Sequence, residues 1–328
     1  MTDLRPRADL FCLDPSVVYT NHGSYGACPS AVLFHQSALR LRIEREPVDF
    51  FSRDLPALLR AARESLGHFV GADPDDLAFV PNVTTGVNTV LGGWSFAPGD
   101  EILTTDHAYA ACRKALDHVA RRAGARVVVA HVPFPFSGED ELVDAVIAGR
   151  TARTRLALLD HVSSPTAVVF PIARLVRELE DLGVETLVDG AHALGMVPLD
   201  LEAIGAAFYT ANAHKWLCAP KGSAFLHVRR DRQANLHPRA ISHGYGAGFR
   251  AEFDWTGTND PTPYLSMPEC LRVLGDLFPG GWTDLMERNH LLAVRAREIV
   301  CDALNLPPPC PEEFIGSMAS IPLPAPAK

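Results

Sequence analysis

The sequence predicts an α/β fold, with a large domain built on a mostly parallel mixed sheet between helices and a smaller C-terminal α/β domain. Three observations predict it. Short apolar runs of strand length recur along the chain, and segments with helical spacing lie between several of them. In addition, 328 residues at 47% apolar composition are enough to bury a large core. No internal repeat or low-complexity tract competes with this reading, although the closing PLPAPAK is a proline-rich tail.

Taken in order, residues 1–45 read as an N-terminal arm that joins the small domain or lies over the active-site mouth. Strand-like runs follow at Leu77–Val80, Glu101–Thr104, Arg126–Val132, Arg155–Leu159, Thr186–Val188, Ala206–Tyr209 and Ser223–Val228. Between them, Ala108–Ala123, Glu139–Ala148 and Ile172–Leu182 have helical spacing; the last places Ile172, Leu175, Val176 and Leu179 on one face. Repeated β-α units put helices on both faces of the sheet. The glycines of SHGYGAGF, 242–249, break the pattern, helix Trp282–Leu304 resumes it, and proline-rich turns follow at 307–311. The chain therefore divides into an arm, 1–45, a large cofactor-binding domain, 46–264, and a connecting helix with a partial small domain, 265–328.

Charge and composition exclude several classes. Thirty basic against 39 acidic residues give a net charge of −9 with no basic run, which argues against a nucleic-acid partner. The opening MTDLRPRADLFCLDPS lacks the apolar core of a secretory signal, and no apolar stretch is long enough to span a bilayer, so a cytoplasmic protein with no membrane partner is expected. Seven cysteines without C-x-x-C spacing read as reduced thiols filling the core, not as a zinc site or a disulfide frame.

The chemistry centres on 187–215, LVDGAHALGMVPLDLEAIGAAFYTANAHK. It supplies a carboxylate at Asp189 past an apolar run, an imidazole at His192, and a lysine at Lys215 preceded by Asn212 and His214. Lys215 leads into the apolar run Trp216-Leu217-Cys218-Ala219-Pro220, which desolvates the amine, lowers its pKa and makes it nucleophilic. An anion, a polar ring contact and an amine are what pyridoxal 5'-phosphate requires. Upstream, Thr84, Thr85 and Gly86 open a helix after a strand, and a helix start with free N–H groups is a phosphate cradle. The plainer reading of Thr84 is an N-cap.

DGAHALG and NAHKWLCAPKG resemble the class V aminotransferase branch of the fold-type I pyridoxal phosphate enzymes, most closely its isopenicillin N epimerase-like subgroup. NHGSYGACP (21–29), EPVDFF (46–51), FVPNVTTGVNTVL (79–91), HVSSPTAVVFPI (161–172) and FDWTGTNDPTPYL (253–265) resemble segments of that subgroup in the same order. The resemblance runs from about Asn21 to Leu323.

It implies Lys215 as the Schiff-base amine and α-proton base, Asp189 on the ring nitrogen, and an amino acid as substrate. It adds Asn212 and His214 as phosphate contacts, with Thr258 reaching the site of a partner subunit in a homodimer with shared active sites. It places His107 over the ring face, with Tyr109 competing for that role, and His161 near the ring hydroxyl and substrate. Asn21, Ser24, Tyr25, Ser163 and Arg250 become substrate-binding candidates.

Epimerase or racemase activity is the favoured expectation, with a C–S lyase or aminotransferase as alternative and a cofactor-binding protein without turnover as a reading of another class. A desulfurase fits least, since neither Cys218 nor Cys310 lies in a segment that reads as mobile. The resemblance also implies an arginine gripping the substrate carboxylate in a longer C-terminal portion. With the chain ending at Lys328, that role would fall to Arg250, Lys221 or Arg53.

Overall fold

Seven strands form one sheet in the order β1-β7-β6-β5-β4-β2-β3 in the computed structural model, which describes residues 7–323. They are β1 Leu77–Val80, β2 Glu101–Thr105, β3 Arg126–Ala130, β4 Thr154–Asp160, β5 Glu185–Asp189, β6 Phe208–Asn212 and β7 Ala224–Val228. β7 runs antiparallel to both its neighbours, β6 and β1, and the other pairings are parallel. The proline-rich close lies outside the described residues from position 324 onward.

Alternation along the strands divides two cores. Ala157, Leu159, Val188, Tyr209 and Phe225 face one side, where helices Leu55–Val70, Glu139–Ala148 and Ile172–Asp181 cover them. Leu156, Leu158, Leu187, Phe208 and Leu226 face the other, under helices Val83–Gly93 and Ala110–Ala123. The Leu55–Val70 helix shows how sequence sets this packing. Leu55, Leu59, Ala62, Leu66 and Val70 recur at helical spacing and are all buried, each large side chain contributing roughly 1.5–3 kcal/mol. Gly71 ends the helix in the left-handed region, φ 62°, with its N–H on the Gly67 carbonyl.

Helix Ser30–Arg45 crosses to the C-terminal elements, where Gln36 Nε2 donates to Thr262 Oγ1 at 3.1 Å and Arg40 pairs with Asp260 at 2.9 Å. Just before it, 21–27 turns into the sheet's C-terminal edge. Gly26 N–H donates to the His214 carbonyl at 2.8 Å, and a Cβ there would stand 2.0 Å from the Lys215 carbonyl oxygen. Among the described residues no helix is long and apolar enough to cross a membrane.

Candidate active site

The C-terminal ends of β4, β5 and β6 open into a cavity of about 250 Å³. Its walls include Asp160, Asp189, His192, Asn212, His214 and Lys215, together with Asn82 and Thr84. Gly23, Ser24, Tyr25, Tyr109 and Ser164 also line it. Residues from six segments of the chain thus meet where parallel strands end, the usual place for a ligand in an α/β sheet.

Lys215 Nζ lies 3.1 Å from His192 Nε2, and the indole Nε1–H of Trp216 donates to His192 Nδ1 at 3.4 Å. An indole can only donate, so Nδ1 is the lone-pair nitrogen and Nε2 carries the hydrogen of a neutral imidazole. Nε2–H then points at Nζ, an arrangement that favours the uncharged amine over the ammonium. Electrostatics agree. Burial lowers the Lys215 pKa against the pull of Asp189 and Asp160, and burial, aided by Lys215, pushes His192 down to about 3.

Asp189 is 3% exposed; its Oδ2 accepts the Cys112 thiol at 3.1 Å and its Oδ1 the Ala191 N–H at 2.9 Å. Burial raises its pKa while these donors and Lys215 oppose the rise. The glycine after it is set by packing, because a Cβ on Gly190 would meet the ring and hydroxyl of Tyr209 at 2.4 Å. That hydroxyl bonds His161 Nδ1 at 2.7 Å, and burial drops His161 to about 4.

At the start of the Val83–Gly93 helix, Asn212 Oδ1 accepts the Val83 N–H at 3.0 Å. Asn82 Oδ1 accepts Thr85 N–H at 2.9 Å, and the Asn82 carbonyl accepts Gly86 N–H at 3.1 Å. Among the described residues the Thr84 N–H and hydroxyl have no partner, which leaves them to face the cavity. His214 anchors Nδ1 on the Ser223 carbonyl at 2.8 Å and keeps its other nitrogen for the cavity.

The structure thus gathers Lys215, Asp189, His192, Asn212, His214, Thr84, Ser24, Tyr25 and Tyr109, and places the other expected residues elsewhere. Thr85 turns to Asn82 and lines a separate cavity with Gly257 and Asn259, beside exposed Thr258. Gly86 packs on Thr210. His107 is not on the cavity wall, because its ring is held by the Val132 carbonyl at 3.1 Å and the Thr166 hydroxyl at 2.9 Å. Tyr109, 45% exposed, lines the wall. Ser163 is buried against His107 and Thr166, and Ser164 takes the place on the wall.

Arg250 pairs with Asp75 ahead of β1, at the opposite edge of the sheet from the cavity. Arg53 pairs with Asp49, and Lys221 donates to the Gly26 carbonyl. Asn21 supports Ser24 from behind, accepting its N–H at 3.0 Å. Cys218 and Cys310 are buried, and burial pushes the Cys218 thiol up to about 12. Among the described residues no cluster of metal ligands occurs. Sequence reasoning missed Asp160, Asn82, Cys112 and Ser164 as site residues. A signal for Asp160 was available, since it ends an apolar run as Asp189 does.

Fold and site together define an α/β enzyme with a buried lysine amine of lowered pKa set among buried carboxyl groups. The chain belongs to the class-V aminotransferase family, whose characteristic sequence matches residues 46–257. It is 35% identical to the putative L-cysteine desulfhydrase 1 of Oryza sativa subsp. japonica, over 97% of this chain and 69% of that protein. It is 37% identical to the isopenicillin N epimerase of Streptomyces clavuligerus, over 95% of this chain and 82% of that protein. A solved structure of the cystine C-S lyase C-DES with cysteine persulfide shares the fold, with a TM-score of 0.75 at 23% identity, covering 88% of this chain and 78% of that one.

Proposed function

We propose that this chain is a pyridoxal phosphate enzyme that removes the α-proton of an amino acid with Lys215 and expels a β-sulfur substituent, as a C–S lyase. The observation that carries the reading is the buried Lys215 amine, 3.1 Å from His192 Nε2, whose pKa burial lowers. The residues present fit the cofactor: Thr84 offers an unpartnered N–H and hydroxyl at a helix start, and Lys215 and Asp189 offer the amine and the buried carboxylate. When bound, the cofactor supplies an electron sink that stabilises negative charge at Cα.

The protein's own groups supply the rest. Asn212 and Asn82 fix the helix start so that the Thr84 N–H and hydroxyl, with His214, hold the phosphate. Asp189, kept anionic by Cys112 and Ala191, would hold a protonated ring nitrogen. His192 keeps Lys215 free of a proton until the amine takes one from Cα, the step that requires a base. The electron pair of the broken Cα–H bond forms the Cα–Cβ double bond, while the Cβ–S bond breaks and sulfur leaves with its own pair. A thiolate leaves readily, so this chemistry needs one base and no acid on the second face.

A second reading, epimerisation, is favoured by Tyr109 on the cavity wall, a hydroxyl able to return a proton to Cα, and by relatives described as isopenicillin N epimerases at 37% and 38% identity. We propose for either reading a homodimer in which Thr258 serves the neighbouring site. The deciding experiment incubates the cofactor-loaded protein with L-cysteine and a panel of L-amino acids in D₂O. Sulfide and pyruvate from L-cysteine support the lyase. Deuterated D-isomers with no elimination product support the epimerase and overturn the lyase.

A further inference from the structure

Asp160 ends β4 as Asp189 ends β5, and the two are paired in register across parallel strands. In-register neighbours leave a parallel sheet on the same face, and both carboxyls line the cavity. Both are nearly fully buried, at 4% and 3% exposure. Their surroundings differ in one respect. Asp189 accepts hydrogen bonds from Cys112 and Ala191, whereas neither oxygen of Asp160 has a hydrogen-bond partner among the described residues.

Two anions side by side in a buried site repel, and a buried carboxylate without donors is costly. One of the two must therefore be neutral, and the donors decide which. Hydrogen bonds to a carboxylate favour its charge, so Asp189 keeps the charge and Asp160 keeps a proton. The titratable groups facing the pair are Lys215 after β6 and Cys112 on the Ala110–Ala123 helix, while Tyr209 on β6 lies near Asp189 on the other face of the sheet. The Tyr109 main-chain N–H faces Asp160 without reaching hydrogen-bond geometry. Burial pushes the Cys112 thiol up and lowers the Lys215 pKa, so the thiol adds no charge and the amine holds its proton weakly. None of them is a fixed cation able to hold both carboxyls ionised.

We propose that Asp160 and Asp189 form a carboxyl pair holding one proton, Asp160 as the neutral acid and Asp189 as the anion, so that the cavity floor presents one negative charge and one O–H donor. Asp160 is then a positioning residue acting through Asp189. It limits the floor to the single charge that a protonated ring nitrogen matches, and its O–H is satisfied by whatever occupies the cavity. Only the match to a ring nitrogen rests on the cofactor reading.

The test is infrared spectroscopy of the full-length protein at neutral pH, cofactor-free and cofactor-loaded, for wild type, Asp160→Asn and Asp189→Asn. The wild type should show a protonated-carboxyl stretch that shifts in D₂O and is lost in Asp160→Asn. A wild-type spectrum without that band, or a band that survives in Asp160→Asn, overturns the pair. Should Asp160→Asn fail to fold, ¹³C-carboxyl aspartate labelling of wild type serves instead. One neutral aspartic acid at pH 7 is expected, and none or two overturns the proposal. The cofactor-free spectrum reads the pair alone, so its failure leaves the cofactor reading standing, and failure of that reading leaves the spectrum interpretable.

Discussion

His192 donates to Lys215 and is itself held by Trp216, the residue that follows the lysine in sequence. The indole selects the tautomer of the imidazole, and the imidazole favours the uncharged amine. A nucleophile is thus prepared by its own chain neighbour.

Replacing His192 with Phe removes the N–H that favours the uncharged amine. One such bond is worth about 0.5–1.5 kcal/mol, so the Lys215 midpoint should rise by up to about one unit. Mass spectrometry of amine modification against pH in cofactor-free protein checks this. An unchanged midpoint would remove the donor role from His192.

Lys215→Ala should abolish covalent attachment of pyridoxal phosphate. Borohydride treatment followed by peptide mapping reads this directly, and a reduced adduct in the variant would place the Schiff-base amine elsewhere.

Asp189→Ala takes away a charge-assisted partner worth about 1.5–3 kcal/mol. Cofactor affinity should fall roughly ten- to a hundred-fold, read by fluorescence titration. Affinity within twofold of wild type would sink the assignment.

Acid should destabilise the protein through its buried imidazoles. Burial holds His161 near 4, against 6.5 for the free side chain. Between those values the unfolded chain binds a proton that the native state does not, so stability is complete above 6.5 and falls as pH drops through the window. For His161 the loss reaches about 3 kcal/mol at pH 4. Denaturant unfolding of wild type and His161→Gln against pH should show a shallower fall in the variant, and parallel curves would refute the linkage.

Gly26→Ala brings a methyl group against the Lys215 carbonyl, 2.0 Å away. Overpacking of this kind costs about 1–3 kcal/mol, and it displaces the lysine's own main chain. Thermal unfolding should show a lowered midpoint together with weakened cofactor binding, and a variant unaffected in both would mean that 21–27 yields freely.

Much of the sheet was legible because its strands are short and each carries an apolar run. β1 spans Leu77–Val80 as the residues suggest, and helices Glu139–Ala148 and Trp282–Leu304 keep their expected bounds. β6 runs from Phe208 to Asn212, later than expected, because pairing with β7 continues through Asn212. The site was legible where a residue type names its chemistry, as at Lys215, Asp189 and His192. It was obscure where role depends on pointing. His107 and Tyr109 lie two positions apart, and only packing against Phe134 and Phe170 shows which one leaves the wall. Asp160 was hidden because a polar residue closing an apolar run reads as a boundary until its neighbour strand is known.

The reversed strand β7 has a consequence for synthesis. β1 leaves the ribosome early, yet its only partner in the sheet is β7, whose first residue comes 144 positions after the last of β1, at Ala224 against Val80. Until then its edge stays open, and the helix start it carries has no Asn212 to dock on. The cavity rim at Thr84 therefore exists only once both ends of this span have met, and a nascent chain cannot assemble it piecemeal.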